Sequence, residues 1–552
     1  MRQSTKLVVN SAVSFMRSVG TMALALVAMR IVYRELAGGD FGIFQSVGAA
    51  TALMALLTTA LTDASSRHMA HAIGEKDTER VARVFNTNLL MYGTISLVIV
   101  LGGLVLAGPV IAWLGDKIPA GRESDAEMVF RISAVTVATL ALTTSFTSVA
   151  NAHQKIYLVA PLEIAGSLLR LAGAFALLVS PISQLLTWTL VVLGSQLAVL
   201  LLTAGVVMRT FEVARIRPSL FRRSMVGELL SYGGWVVLST ISWQLRVQAA
   251  TLMMAKLVGL VVVEAYRIAM TLGGVQNSVA LTLNTAASPA VVTHHGAGQS
   301  GTVRSLVLTA SKFSAYASAL AAIPLVFETR TLLELWLGAD APGLDTIAPL
   351  TRVASVWLLL QSMGHGYVFA INATGKIGPF TLATVAIDAS ALAGSGAVLW
   401  WATAEAPPLG PEAALAARAI LVHLGETPAI VVPALALLSM VAHLIMRAVY
   451  VGGKIGLAKR EFLAKSLLPA GLCLGAGSFA AWGVTGLMEP GLVRVIASTA
   501  AAYAGLGLSV WTVGLSAEER GHLVRLGRGL AVKIIPGRRA ASGEDQRSEA
   551  AP

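Results

Sequence analysis

Arg17, Glu163, Arg170, Arg246 and Asp388 all stand inside long apolar runs, where charge is least expected. An ionisable group in hydrocarbon costs at least about 2.5–3.5 kcal/mol on insertion scales, so each needs a compensating role. Arginine there suits an anionic cargo, because a guanidinium offers several donors to groups of oxygen acceptors. Arg170 lies near the middle of its run, too deep for easy snorkelling, with Glu163 two turns earlier on the same face. Gln244 and Gln248 flank Arg246 and approximately share its side of the helix, a polar stripe that Asn277 continues in the next run. We expect Arg17, Arg170, Arg246, Gln244, Gln248 and Asn277 to line a substrate cavity, with Glu163 and Asp388 in gating or coupling. The competing reading is structural: polar side chains also hold membrane helices together, each inside its own bundle.

Other chemistries find no support in the residues. No phosphate-cradling Walker sequence and no His-Glu-x-x-His metal motif occur, so neither a nucleotide nor a metal is expected. Cys473 is the single cysteine, which rules out an internal disulfide. His68, His71, His294 and His295 fall near loops and read as solvated. No cofactor is expected.

The elements that position these charges are membrane helices. The 552 residues are 55% hydrophobic and only 13% charged, against about 25% charged in a soluble domain. Continuous apolar stretches of about twenty residues recur throughout and read as transmembrane helices. Six are expected at 8–33, 41–62, 86–113, 129–150, 156–179 and 183–208. Six more follow at 229–256, 260–288, 307–335, 347–371, 377–401 and 429–450, then two at 466–487 and 491–514.

Short motifs repeat across the two sets of six. Asn151-Ala152-His153-Gln154-Lys155-Ile156 returns as Asn372-Ala373-Thr374-Gly375-Lys376-Ile377, 221 residues on (372 − 151). Leu36-x-Gly38 returns as Leu257-x-Gly259 at the same offset, and Trp113-Leu114-Gly115 as Trp336-Leu337-Gly338 at 223 (336 − 113). A duplicated transporter places its substrate between the copies. An even number of spans per copy puts a pseudo-two-fold along the membrane normal. The offset also aligns the fifth and eleventh spans, which suggests that Arg170 and Asp388 approach each other across the cavity. Arg17 and Arg170 have no cationic counterpart at Leu238 and Ala391, so the anion is expected to rest largely on the first half.

The fold class is thus an all-α polytopic membrane protein with about 14 helices. The expected divisions are 1–208 for the first lobe and 209–228 for a basic cytoplasmic linker. The second lobe follows at 229–451, two further spans at 452–515, and a cytoplasmic amphipathic tail at 516–552. Lys and Arg gather on one side, at Lys76, Arg80 and Arg83, in the linker, near Lys454 and Lys459, and in the tail. Positive charge favours the cytoplasmic side, so both termini are expected there. The net charge of +12 is explained this way, and no nucleic-acid partner is expected. Residues 403–428 are read as an external loop with a short helix. The tail opens on Ser516-Ala517-Glu518-Glu519, a capping-box pattern. Its Leu523, Leu526, Leu530 and Ile534 would face the membrane surface. Arg267 is read as pairing with Glu264.

Arg34-Glu35-Leu36-Ala37-Gly38-Gly39-Asp40-Phe41-Gly42-Ile43-Phe44 resembles the start of polysaccharide-transporter proteins of the multidrug/oligosaccharidyl-lipid/polysaccharide exporter superfamily. The Asn-x-x-x-Lys sequences ahead of spans five and eleven are similar too. In the second copy Asp-Phe-Gly gives way to Glu264-Ala265-Tyr266, a departure read as drift. The resemblance implies two six-helix lobes around a cavity that opens alternately to each side. It implies a flippase for an undecaprenyl-pyrophosphate-linked oligosaccharide, serving O-antigen or exopolysaccharide synthesis in the bacterial inner membrane. Membrane lipids, a polymerase and glycosyltransferases would be its partners. Met16-Arg17-Ser18-Val19-Gly20 resembles the stretch bearing a substrate-cavity arginine in peptidoglycan-precursor flippases. A flippase of that kind is one alternative. A drug/cation antiporter of the same superfamily is the other, although Arg17 stands in the first helix where many antiporters place an acid. A membrane glycosyltransferase would need larger soluble loops, so no enzyme activity is expected.

Overall fold

In hydrocarbon the backbone must satisfy its own polar groups, and for continuous apolar runs helix is the solution. The computed structural model describes residues 3–231, 234–403, 428–521 and 524–525; among them helix dominates and no strand occurs. The loop helix expected within 403–428 and most of the amphipathic tail lie outside the described residues. The described residues up to Lys459 form one compact unit, and those from Arg460 onward form another.

The first half of the larger unit contains α1 (Gln3–Leu36), α2 (Asp40–Met54), α3 (Leu56–Gly74), α4 (Thr78–Leu114), α5 (Glu123–Ala152), α6 (Ala160–Phe175) and α7 (Gln184–Thr210). After α8 (Arg223–Ser231), the second half contains α9 (Gly234–Leu257), α10 (Leu260–Gly296), α11 (Ser300–Phe327), α12 (Thr329–Leu337), α13 (Leu344–Ser362), α14 (His365–Thr374), α15 (Gly378–Thr403) and α16 (Val431–Met446). The smaller unit is a hairpin of α17 (Leu468–Leu487) and α18 (Leu492–Ser509). Ten of the described helical stretches are long and apolar enough to cross a membrane. The other expected spans are helical as well where they are described, but 41–62 is divided at Ala55 and 347–371 at Met363–Gly364. Large apolar side chains face outward, as a lipid-facing surface requires: Leu101, Leu104 and Val105 of α4 are all more than half exposed.

The repeated motifs are repeated turns. Gln154 and Gly375 both adopt positive φ, at 54° and 69°, as do Gly38 and Gly259, and Gly115 and Gly338. Each pair sits where a helix ends and the chain turns back, a place where left-handed backbone favours glycine. Duplication therefore preserved backbone geometry where side chains diverged. His153 stacks on Phe211 at 4.6 Å, and Lys155 lies over the same ring at 5.1 Å. Burial, aided by Lys155, holds the His153 imidazole below its ordinary pKa. At the start of the smaller unit's tail the capping box forms: Ser516 N–H donates to Glu519 at 2.8 Å, and Glu519 N–H to Ser516 Oγ at 3.2 Å.

The two halves meet at the end where α1 stops and α2 begins. Arg34 pairs with Asp340 at 2.7 Å, Tyr33 donates to the Pro342 carbonyl at 2.7 Å, and Trp336 to that of Leu26 at 3.0 Å. Glu264 accepts from the backbone N–H groups of Gly38, Gly39 and Gly42 at 3.3, 2.8 and 3.1 Å. These are the free donors at the start of α2, where a carboxylate is favoured. A Cβ at Gly42 would strike the Leu260 carbonyl, so glycine there allows the close approach. The expected pairing of Glu264 with Arg267 is corrected: Arg267 donates to Gln45 at 3.0 Å, and Glu264 is the tie between the halves. The apparent drift in the second motif thus produced a complement to the first.

Candidate functional site

Each half contains a polar cavity. The first, about 340 Å³, is lined by residues of α1, α5, α6 and α7, among them Thr21, Thr143, Glu163, Arg170 and Gln196. Glu163, Ser167 and Arg170 stand at i, i+4 and i+7, one face of α6. Elsewhere on α6, Gly166 and Gly173 leave room for Val199 and Val191 of α7, which brings the two helices together. Arg17 Nη1 reaches both oxygens of Glu163, at 3.1 and 3.2 Å, tying α1 to α6. Arg170 is held by neutral groups: its Nε donates to Ser195 Oγ at 3.0 Å and its Nη2 to Gln196 Oε1 at 3.1 Å. Gln196 is oriented by its own contact with Thr143, 3.4 Å away.

The second cavity, about 470 Å³, lies among α9, α14, α15 and α16, and its lining includes Trp243, Arg246, His365, Asp388, His443 and Arg447. Arg246 pairs with Asp388 at 3.1 Å and lies over the Trp243 and Trp357 rings, 4.8 Å from each centroid. Such desolvated cation–π contacts favour guanidinium over ammonium. Asp388 also meets His443 Nε2 at 3.0 Å. A carboxylate only accepts, so Nε2 carries a proton in this contact. Ser439, His443 and Arg447 follow at i, i+4 and i+8, a polar face on an apolar helix. The interruption at Gly364 is part of the same construction: a Cβ there would collide with Arg447 Nη1.

Several expectations change. Arg170 and Asp388 are not brought together; each is engaged by helices of its own half. Their alignment by the repeat is a correspondence between copies and creates no contact. The real pairs are Arg17–Glu163 and Arg246–Asp388. The polar stripe around Arg246 is also corrected, since residues two apart lie about 200° apart on a helix. Arg246 is buried, whereas Gln244, Gln248 and Asn277 are half-buried and absent from the lining of these two cavities. The neighbour of Asn277 is the inward-facing residue: Gln276 donates to Ser318 Oγ at 3.0 Å and to the Ser355 carbonyl at 2.9 Å. The expected imbalance toward the first half does not appear, because Arg447 adds a second cation to the C-terminal cavity. Arg447 is not among the residues expected at the site, because it stands at the end of the span expected at 429–450, where a cation reads as a loop charge. The four-residue spacing from Ser439 was the signal that could have revealed it. Among the described residues no group of three or more His, Cys, Asp or Glu could hold a metal.

This architecture recurs in solved transporters. The chain is similar to an inward-facing multidrug resistance MATE family transporter of the MOP superfamily, with a TM-score of 0.63 and 16% identity over 78% of this chain and 95% of that one. It is similar to the lipid II flippase MurJ in an inward closed conformation, with a TM-score of 0.65 and 12% identity over 91% and 98% of the two chains. A MOP superfamily transporter from Pyrococcus furiosus aligns with a TM-score of 0.53 and 14% identity, over 82% and 95%. At such identities the likeness is one of fold. No curated protein sequence matches the chain. The model of the family described as polysaccharide biosynthesis protein matches residues 7–294, more than half of the 552. The chain therefore belongs to the polysaccharide biosynthesis protein family and carries the fold of the MOP superfamily transporters.

Proposed function

We propose that the protein is an alternating-access flippase for an undecaprenyl-pyrophosphate-linked oligosaccharide in the bacterial inner membrane. The observation that carries this reading is the charge of the two cavities. Glu163 lines the first and pairs with Arg17 beside it, Asp388 pairs with Arg246 in the second, and each holds one further arginine with no carboxylate of its own among the described residues: Arg170 in the first, Arg447 in the second. An excess cation inside an apolar bundle favours an anionic head group over a cationic drug. The family's link to polysaccharide synthesis and the likeness to a lipid II flippase support a lipid-linked cargo.

In this reading residues 1–208 and 229–451 are lobes that rock against each other about the linker at 209–228. Residues 452–515 stay outside the duplication. With both termini cytoplasmic, the Glu264 and Arg34–Asp340 contacts close the outer end, which makes this an inward-facing state. Arg17 and Glu163 link α1 to α6 at the first cavity, and their pair would rearrange as cargo arrives. The test is export of surface polysaccharide in cells carrying Arg170→Ala. A charge-assisted hydrogen bond contributes about 1.5–3 kcal/mol, so export should fall at least about tenfold with the protein at normal abundance in the membrane. Full export by that variant would reject the role.

A further inference from the structure

The second cavity holds a charge that the described residues lining it do not balance. Arg447 begins a π-helical turn, Arg447–Val451, continuing α16; such turns are frequent at functional sites. The residue is only 8% exposed, it lines the cavity, and its Nε and Nη1 have no hydrogen-bond partner among the described residues. The charged groups that act on it are Asp388 and Arg246. Asp388 is already engaged by Arg246 and by His443. Arg246 Nη2 and Thr384 Oγ1 also lack partners. Two guanidiniums thus share one carboxylate beside a space of about 470 Å³, against about 30 Å³ for a water in the liquid. A buried cation without counter-charge or acceptor is strongly unfavourable, and acceptors that bear charge compensate it best.

We propose that this cavity is a binding site for a phosphate-class oxyanion, held by Arg447 with Arg246 and Thr384. Donors approaching from three helices suit an acceptor with several oxygens better than a single-atom anion. The head group of a polyprenyl diphosphate and free inorganic phosphate or pyrophosphate share this chemistry. The site does not rest on the cargo proposed above: loss of export in Arg170→Ala and anion binding at Arg447 are read separately.

The test uses the full-length protein in lipid nanodiscs, carrying Arg170→Ala so that the first cavity does not contribute. Thermal unfolding is followed while inorganic pyrophosphate is titrated, and separately with undecaprenyl diphosphate in the bilayer. At least one of the two should raise the unfolding midpoint saturably. The midpoint should respond at least about tenfold more weakly when Arg447→Met is added, as expected for loss of a charge-assisted contact. Response to the inorganic anion identifies a free-anion site, and response to the lipid alone identifies a head-group site. Without any anion, Arg447→Met should unfold at a higher temperature than its parent, because it removes an unbalanced buried charge. If that variant fails to fold, Gly364→Ala decides, since its Cβ displaces the Arg447 guanidinium and keeps the charge. Absence of any response in the parent, or an unchanged response in both variants, overturns the proposal.

Discussion

The two halves reach the same charge arrangement from different residues. In each, an ion pair joins the first and fifth expected spans of the set, Arg17–Glu163 between α1 and α6 and Arg246–Asp388 between α9 and α15. In each, a further arginine faces the same cavity without a carboxylate of its own. The positions are not repeat-equivalent: the 221-residue offset places Ser167 opposite Asp388 and Thr384 opposite Glu163, one turn away in each case. Duplication kept the turns and the helix neighbours, and the charges arose separately within that frame. The halves differ in burial. The first pair is about a third exposed, at 30% and 37%, and the second is sealed at 7% and 7%. The first half therefore has the more accessible ion pair, and the second is built around an enclosed one.

That difference orders the expected effects of mutation. Asp388→Ala should be the most damaging, since it leaves Arg246 as well as Arg447 without counter-charge. Breaking a buried pair costs about 3–5 kcal/mol, measurable as lower thermal stability in detergent. The double change Asp388→Leu with Arg246→Leu should recover much of that loss, and an equal loss in the double variant would contradict the sealed pair. Glu264→Ala should cost about 1–3 kcal/mol, the penalty for buried donors left unsatisfied. It should also loosen the contact between the halves. Faster maleimide labelling of Ser46→Cys, a buried site one turn beyond Gly42, would report this in a Cys473→Ala background; unchanged labelling would mean that Glu264 is no tie. Arg17→Gln should cost about 1 kcal/mol or less, as exposed pairs do, so a large destabilisation would erase the contrast between the halves. The smallest effect concerns His153, whose counterpart Thr374 does not titrate. Its folded pKa lies below the ordinary value near 6.5. The stability it contributes is therefore present above that value and is lost as pH falls toward the folded pKa. His153→Thr should flatten this slope in acid unfolding curves, and an unaltered slope would remove His153 as its source.

The helical architecture was legible because hydrocarbon permits so few alternatives: helix dominates the expected spans where the chain is described, although 41–62 and 347–371 are interrupted and ten stretches have the length and apolarity to cross a membrane. The repeat was legible through glycines and turn residues whose positive φ the duplication preserved. The charge pairs were not legible. Arg17 and Glu163 are 146 residues apart in sequence, and apolar periodicity does not reveal which helices adjoin in a bundle with lipid on one side and a cavity on the other. Placing Gln244, Arg246 and Gln248 on one face overlooked the 100° step of a helix. Arg447 was hidden by its position at a span end, where snorkelling is the ordinary explanation.

The most direct measurement of the central claim is translocation by the purified protein in proteoliposomes, using two cargoes that carry the same sugars. One is linked to the polyprenol through a diphosphate, and the other lacks the phosphates. The account predicts movement of the diphosphate-linked cargo, at least about tenfold slower with Arg170→Ala, and little movement of the neutral one. Equal translocation of both cargoes, unaffected by Arg170→Ala, would contradict it.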